Sequence, residues 1–138
     1  METNYVLDAC ALIAFLYDES GAEVVQEILE NAKTQGFYIY MNKVNLYEVY
    51  YNVHRAEGDE QAEIVYSTVQ KLPINIVSDF SDDAFREAAK IKGKYKMSMA
   101  DSIALGEAIV RNAIVVTADH HELDAVDEKE SINFAWIR

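Results

Sequence analysis

The chain has 138 residues, of which 51% are hydrophobic and 26% charged, and its formal net charge is −12 at pH 7. Such an acidic chain is not expected to bind nucleic acid through a broad basic surface, although acids that hold metal ions would change the local charge. No apolar run approaches the roughly 18 residues of a membrane span, and the single Cys10 excludes an intrachain disulfide. Residues 1–4 lack the basic start of a signal peptide, so we expect a cytoplasmic protein without a membrane partner.

Short apolar or β-branched runs alternate with helical stretches along the whole chain. The predicted strands are residues 4–7, 37–40, 74–77, 114–116 and 132–137. The predicted helices are residues 9–17, 20–33, 42–53, 60–71 and 81–94, then a buried helix that begins at Ser98, and one or two turns at 120–126. This alternation predicts one domain over residues 1–138, an α/β three-layer sandwich with a central parallel sheet flanked by helices, but it does not predict the strand order.

Four acids occupy equivalent positions in successive strand–helix units. They are Asp8 after the first strand, Glu48 in the first turns of the 42–53 helix, Asp101 in the first turn of the Ser98 helix, and Asp119 after the 114–116 strand. Strand ends and helix starts of this kind share one edge of a parallel sheet. Four carboxylates there raise each other's pKa values unless a cation is present, and oxygen ligands without a Cys or His pattern favour Mg²⁺ or Mn²⁺. The pattern predicts a metal site that could activate water for attack on a phosphodiester.

Ordinary helix capping offers another interpretation of the same acids. Ser98 and Asp101 have capping-box spacing, and Asp119 with Glu122 resembles one. The helix dipole favours acids at helix N-termini without any ligand. Taken singly, each acid is more often a cap than a ligand, so the metal-site hypothesis depends on all four lying on one edge.

Four short motifs, in their order and spacing, resemble the PIN-domain family. They are Leu7-Asp8-Ala9-Cys10-Ala11-Leu12-Ile13, Asn45-Leu46-Tyr47-Glu48, Ala100-Asp101-Ser102-Ile103-Ala104 and Val116-Thr117-Ala118-Asp119. Each motif alone is weak, but the ordered set, with the closing residues 134–138, covers essentially the whole chain. Within the family, the sequence is most similar to the compact VapC-type toxins of type II toxin–antitoxin pairs.

The resemblance implies a flavodoxin-like PIN-domain fold and Mg²⁺- or Mn²⁺-dependent endoribonuclease activity on RNA. It also implies homodimers and inhibition by a cognate antitoxin protein. By the same resemblance, the catalytic, metal-binding acids would be Asp8, Glu48, Asp101 and Asp119, and Thr117 would orient water or a carboxylate. Asp124 is a candidate for a peripheral fifth acid.

One departure from the family pattern keeps other functions open. The family commonly has Ser, Thr or Asn two residues after the first Asp, where this chain has Cys10, and a thiol is a weak hydrogen-bond donor. A catalytically impaired PIN-like module that binds RNA or protein is therefore an alternative. A Mg²⁺-dependent phosphohydrolase on a similar sheet is another, but a haloacid-dehalogenase-type enzyme needs a second Asp at the position of Cys10.

Basic residues and histidines near these acids have two interpretations each. Lys92, Lys94 and Lys96 fit a solvated helix end that complements the helix dipole, or a contact with the RNA backbone. His120 and His121 follow Asp119 and are interpreted as helix-start residues, either of which could touch a substrate phosphate.

Overall fold

The computed structural model describes residues 3–138. Met1 and Glu2 lie outside the described residues, and they belong to residues 1–4, from which the absence of a signal peptide was predicted. The elements in chain order are β1 (Asn4–Leu7), α1 (Ala9–Leu16), α2 (Ala22–Gln35), β2 (Tyr38–Asn42), α3 (Lys43–Glu57), α4 (Asp59–Gln70), β3 (Asn75–Val77), α5 (Asp82–Lys94), α6 (Met99–Arg111), β4 (Ile114–Thr117), α7 (His120–Lys129) and β5 (Phe134–Trp136). None of the helices within residues 3–138 is long and apolar enough to cross a membrane.

The sheet is parallel throughout, with the strand order β3-β2-β1-β4-β5. Strand β1 is central: Val6 lies beside Tyr40 of β2 on one side and Val115 of β4 on the other. Because successive side chains of a strand point to opposite faces, Val6 packs with α5, α6 and α7, whereas Leu7 packs with α1 and α2. A third apolar cluster joins α1, α3 and α4. The protein is the predicted three-layer α/β sandwich with a flavodoxin-like architecture.

Helix α6 is buried along its middle, residues 102–108, as its apolar sequence predicts. Its close contact with α5 depends on Gly106. A Cβ atom there would lie 2.7 Å from the Ala84 carbonyl oxygen and 2.8 Å from the Ala88 Cβ. Glycine therefore lets α5 and α6 approach more closely than any other residue would allow.

The structure corrects several local predictions. Helix α2 begins at Ala22, two residues later than predicted; its N-cap is Gly21, at φ 96°, and no side chain of residues 3–138 caps it. Strand β2 extends to Asn42, whose side chain accepts a hydrogen bond from the Val44 amide at 2.8 Å and so starts α3. Helix α7 continues to Lys129. Strand β5 is shorter than predicted because only Phe134–Trp136 pairs with β4.

Candidate metal centre

Asp8 follows the central strand and is only 2% exposed. One carboxylate oxygen, Oδ1, accepts the Ala11 amide at 2.9 Å and caps α1. Burial raises the pKa of Asp8, while hydrogen bonds from Thr117, Ala11 and Cys10 oppose this rise. The side chain is therefore held in one orientation at the carboxyl end of β1.

The Cys10 thiol connects the ends of β1 and β4. Its Sγ lies 3.6 Å from Asp8 Oδ2 and 3.7 Å from Thr117 Oγ1, and it accepts the Ala118 amide at 3.3 Å. Thr117 is fully buried, and its hydroxyl oxygen accepts the Asp119 amide at 3.0 Å. Burial and the charge of Asp8 raise the pKa of Cys10 to about 12. The thiol therefore stays protonated and provides the polar contacts expected of a hydroxyl at this position.

Three acids converge where α6 and α7 begin. One carboxylate oxygen each from Asp101, Asp119 and Glu122 lies within 4.8 Å of the other two. Ser98 Oγ caps α6 by accepting the Asp101 amide at 3.1 Å, whereas among residues 3–138 the Asp101 carboxylate makes no return bond to the Ser98 amide. Asp119 caps α7 by accepting the Glu122 amide at 3.2 Å. Capping and acid clustering are therefore compatible, since capping uses only one oxygen of Asp119 and none of Asp101.

Glu48 lies on α3, which is tied to the start of α6. Asn45, one turn before Glu48, is fully buried and donates its amide to the Ala100 carbonyl at 3.0 Å. Burial raises the pKa of Glu48, and the charges of Asp8 and Asp119 raise it further. These charges interact across the edge of the sheet, so the structure brings Glu48 to the same region as the other acids.

The charges of the three other predicted acids all act on Asp101. Its pKa is raised to about 8, first by burial and then by the charges of Asp8, Asp119 and Glu48 and a hydrogen bond with Asp119. Within the described part of the chain, no lysine, arginine or histidine forms a salt bridge with any of these acids. An all-oxygen donor set without a neutralising side chain fits a hard divalent cation such as Mg²⁺ or Mn²⁺.

The family of the chain follows from its sequence as a whole. The model of the PIN-domain family matches residues 5–129. The chain belongs to the PIN-domain family. No curated protein matches this PIN domain in sequence.

Solved structures share its fold at low sequence identity. A chain of VapBC2 from Rickettsia felis, bound to a DNA fragment from its promoter, has a TM-score of 0.73 and 16% identity, covering 96% of this chain and 98% of that one. DNA-bound VapBC from Salmonella typhimurium has a TM-score of 0.73 and 14% identity, with full coverage of both chains. VapC20 from Mycobacterium tuberculosis, a sarcin–ricin loop cleaving toxin, has a TM-score of 0.56 and 10% identity, covering 80% and 86%. The resemblance to VapC-type toxins therefore extends to the fold.

Glu122 is an acid of this cluster that the sequence did not predict to lie there. Its spacing from Asp119 indicated a capping box, and the structure adds its carboxylate to the cluster. Asp124, the candidate fifth acid, instead lies with His120, whose Nδ1 is 2.7 Å from Asp124 Oδ1. The signal that could have found Glu122 is helical periodicity, because residues three apart lie on one face of a helix.

The lysine cluster of this PIN domain lies at the end of α5 and in the short connection to α6. Lys92 Nζ donates to the Met97 carbonyl at 2.8 Å, and Lys94 lies 3.5 Å from Glu130. Lys96 is exposed and has no salt bridge within residues 3–138. The solvated helix-end interpretation fits Lys92 and Lys94, and Lys96 is available to an outside partner.

Proposed function

We propose that this PIN domain is a Mg²⁺- or Mn²⁺-dependent endoribonuclease, the toxin of a type II toxin–antitoxin pair. The observation that carries the proposal is the group of carboxylates at one sheet edge, within which the pKa of Asp101 rises to about 8 and no residue of 3–138 supplies a cationic partner. Like charges collected in this way repel one another and oppose folding. Clusters of this kind are therefore typical of functional sites, where a bound ligand offsets the repulsion. A divalent cation is the partner that their oxygen chemistry fits best.

The proposed ligands are Asp8, Glu48, Asp101 and Asp119, and Glu122 lies close enough to Asp101 and Asp119 to add a fifth oxygen donor. A bound divalent cation supplies Lewis-acid chemistry: it makes water a better nucleophile and stabilises charge on the phosphate oxygens. The protein's part is to hold the carboxylates in place, and capping bonds to main-chain amides do this for Asp8 and Asp119. Thr117 supports the same arrangement by holding the Asp119 amide.

Metal binding at Asp101 is coupled to the release of a proton. With its pKa at about 8, it holds a proton near neutral pH when no cation is bound, and cation binding must displace that proton. Affinity for the metal should therefore rise with pH. This behaviour distinguishes a ligand from a capping residue.

The solved relatives support the substrate and partner in this proposal. VapC20 is a sarcin–ricin loop cleaving toxin, which favours RNA as the substrate class. The VapBC complexes favour a cognate antitoxin as the protein partner. The homodimer, the cytoplasmic location and the extent of the domain over residues 1–138 stay predictions.

Cleavage of a labelled RNA in EDTA, Mg²⁺ and Mn²⁺, measured beside hydrolysis of p-nitrophenyl phosphate, tests the proposal. We expect RNA cleavage only with metal, with a loss of orders of magnitude in Asp8→Asn and Asp101→Asn. Asp83→Asn is the matched control, because Asp83 is an exposed acid in the first turn of α5, outside the cluster. Cleavage that persists in EDTA would exclude the metal mechanism. Turnover of the phosphate ester without RNA cleavage would favour a phosphohydrolase, and RNA binding without cleavage an impaired module.

A further inference from the structure

Three aromatic rings form a continuous stack beside the candidate metal centre. The rings of His120 and Trp136 are 3.8 Å apart at an interplanar angle of 14°, and those of Trp136 and Phe134 are 5.2 Å apart at 13°. Trp136 and Phe134 belong to β5, whereas His120 is the first residue of α7 and directly follows Asp119. His120, at one end of the stack, is therefore the next residue after Asp119, a proposed metal ligand.

His120 is fixed at both ring nitrogens. Its Nδ1 lies 2.7 Å from Asp124 Oδ1, and its Nε2 lies 2.8 Å from the Arg138 carbonyl oxygen. Hydrogen bonds to ring nitrogens lie in the ring plane, and Trp136 covers one face. The His120 side chain is nevertheless 47% exposed. With one face covered and both nitrogens bonded, this exposure fits a ring face opposite Trp136 that is open to solvent.

We propose that the outer face of His120 is a stacking platform for a nucleobase of the RNA substrate, next to the phosphate held at the carboxylate cluster. This inference rests on the proposed ribonuclease function and deepens it. Stacking on an aromatic face binds any base, because every base has a π-face. A ring already fixed by Trp136, Asp124 and the Arg138 carbonyl loses little conformational freedom when a base binds. On a chain of net charge −12, such a contact adds affinity without a broad basic surface.

Two substitutions separate the ring face from the hydrogen bonds. His120→Phe keeps an aromatic face and removes both nitrogen contacts. His120→Asn keeps a polar group near Asp124 and removes the ring. His121→Asn is the matched control, since His121 is the exposed neighbouring histidine and has no part in the stack. Melting temperatures show whether each variant folds.

Binding is measured with decaadenylate and with an abasic ribose–phosphate decamer, using Ca²⁺ in place of Mg²⁺. Trp136 is the only tryptophan, so its fluorescence reports directly on the stack. We expect decaadenylate to quench this fluorescence and the abasic backbone to leave it unchanged. His120→Asn should bind decaadenylate about tenfold more weakly, whereas His120→Phe and His121→Asn should stay close to the wild type.

Three results would overturn the inference. The first is equal fluorescence responses of the wild-type protein to the two decamers, which needs no variant to fold. The second is unchanged decaadenylate binding and an unchanged KM for RNA cleavage in His120→Asn, which leaves the ribonuclease proposal standing. The third is weaker binding in His120→Phe with normal binding in His120→Asn, which would mean that the hydrogen bonds matter and the ring face does not. A wild-type protein that neither binds nor cleaves RNA with Mg²⁺ or Mn²⁺ removes both proposals together.

Discussion

Cys10 supports the candidate metal centre without being one of its proposed ligands. Its thiol contacts Asp8, Thr117 and the Ala118 amide. We expect Cys10→Ser to keep or raise nuclease activity, because a hydroxyl is a stronger donor of similar size. Cys10→Ala removes all three contacts and should lower both activity and melting temperature. RNA cleavage rates and thermal unfolding of the two variants check this, and an inactive but folded Cys10→Ser protein would show another role for the thiol.

The sign of a stability change shows whether Asp101 is a metal ligand or a capping residue. In metal-free protein at pH 9, Asp101→Asn should melt at or above the wild type, because it removes a charge repelled by Asp8, Asp119 and Glu48. Adding Mg²⁺ or Mn²⁺ should then stabilise the wild type much more than the variant. Differential scanning calorimetry with and without metal measures both effects.

The control for Asp101 is Asp83→Asn, which removes a first-turn acid outside the cluster. It should lose a dipole interaction of about 0.3–1 kcal/mol and a weak exposed ion pair with Arg86, 4.0 Å away, and it should respond to metal as the wild type does. If Asp101→Asn behaved in the same way as this control, Asp101 would be a capping acid and not a ligand.

The raised pKa of Asp101 also predicts how stability changes with pH. Its pKa rises from 3.8 to about 8 in the folded protein. Between these values the folded chain keeps a proton that the unfolded chain has released, so metal-free stability falls as pH rises through this window and then levels off. The pKa values of Asp8 and Glu48 are raised as well, which acts in the same direction. Melting temperatures in EDTA from pH 5 to 9 should decline, and less steeply in Asp101→Asn; a rising profile would contradict this.

At the scale of the elements, the contact between α5 and α6 holds Asp101 at the sheet edge. Gly106→Ala would place a Cβ against the main chain of Ala84 and Ala88, so we expect it to destabilise the fold by roughly 1–3 kcal/mol. Gly93→Ala, at an exposed position of α5, meets no described atom within 4 Å and should be neutral or stabilising by up to about 1 kcal/mol. Urea unfolding of the two variants provides the comparison, and equal stabilities would mean that the helices can separate at little cost.

The sequence predicted the elements and an acidic cluster at the sheet edge because both depend on local patterns. The roles of the four acids as metal ligands stay predictions. Strand–helix alternation places Asp8 and Asp119 at strand ends, whatever the order of the strands. The order itself depends on pairing between distant segments and could not be predicted. Gly21 illustrates the same limit, since its left-handed conformation and its contact with Ile137 depend on a segment more than a hundred positions away.

Side-chain contacts between elements had no local signal at all. Asn42 caps α3 while donating to the buried Glu107 at 2.7 Å, across 65 positions of sequence. Asn45 reaches Ala100 across 55 positions. Neither contact follows from the sequence, yet together they fix α3, and with it Glu48, against α6. The acidic cluster was predictable, whereas the contacts between elements that position it were not.

At the scale of the whole molecule, a substitution of Lys96 tests how this acidic protein could bind RNA, which is also negatively charged. We expect Lys96→Gln to weaken RNA binding and to reduce the slope of log affinity against log salt concentration by about 1, because it removes one phosphate contact. Lys33→Gln is the control, since Lys33 is exposed in the last turn of α2, which leads to the amino end of β2 and so to the opposite sheet edge. Equal salt slopes for the two variants would leave Lys96 as a solvated residue of the helix connection.

The central position of β1 has a consequence for the order of events during protein synthesis. Asp8 is made first, but its neighbouring strand β4 and the Asp119 that follows it come more than a hundred residues later. A nascent chain released before residue 119 therefore carries no complete set of the proposed ligands. Under the proposed function, prematurely terminated products would lack the complete metal site, and cleavage would begin only once β4 has paired with β1.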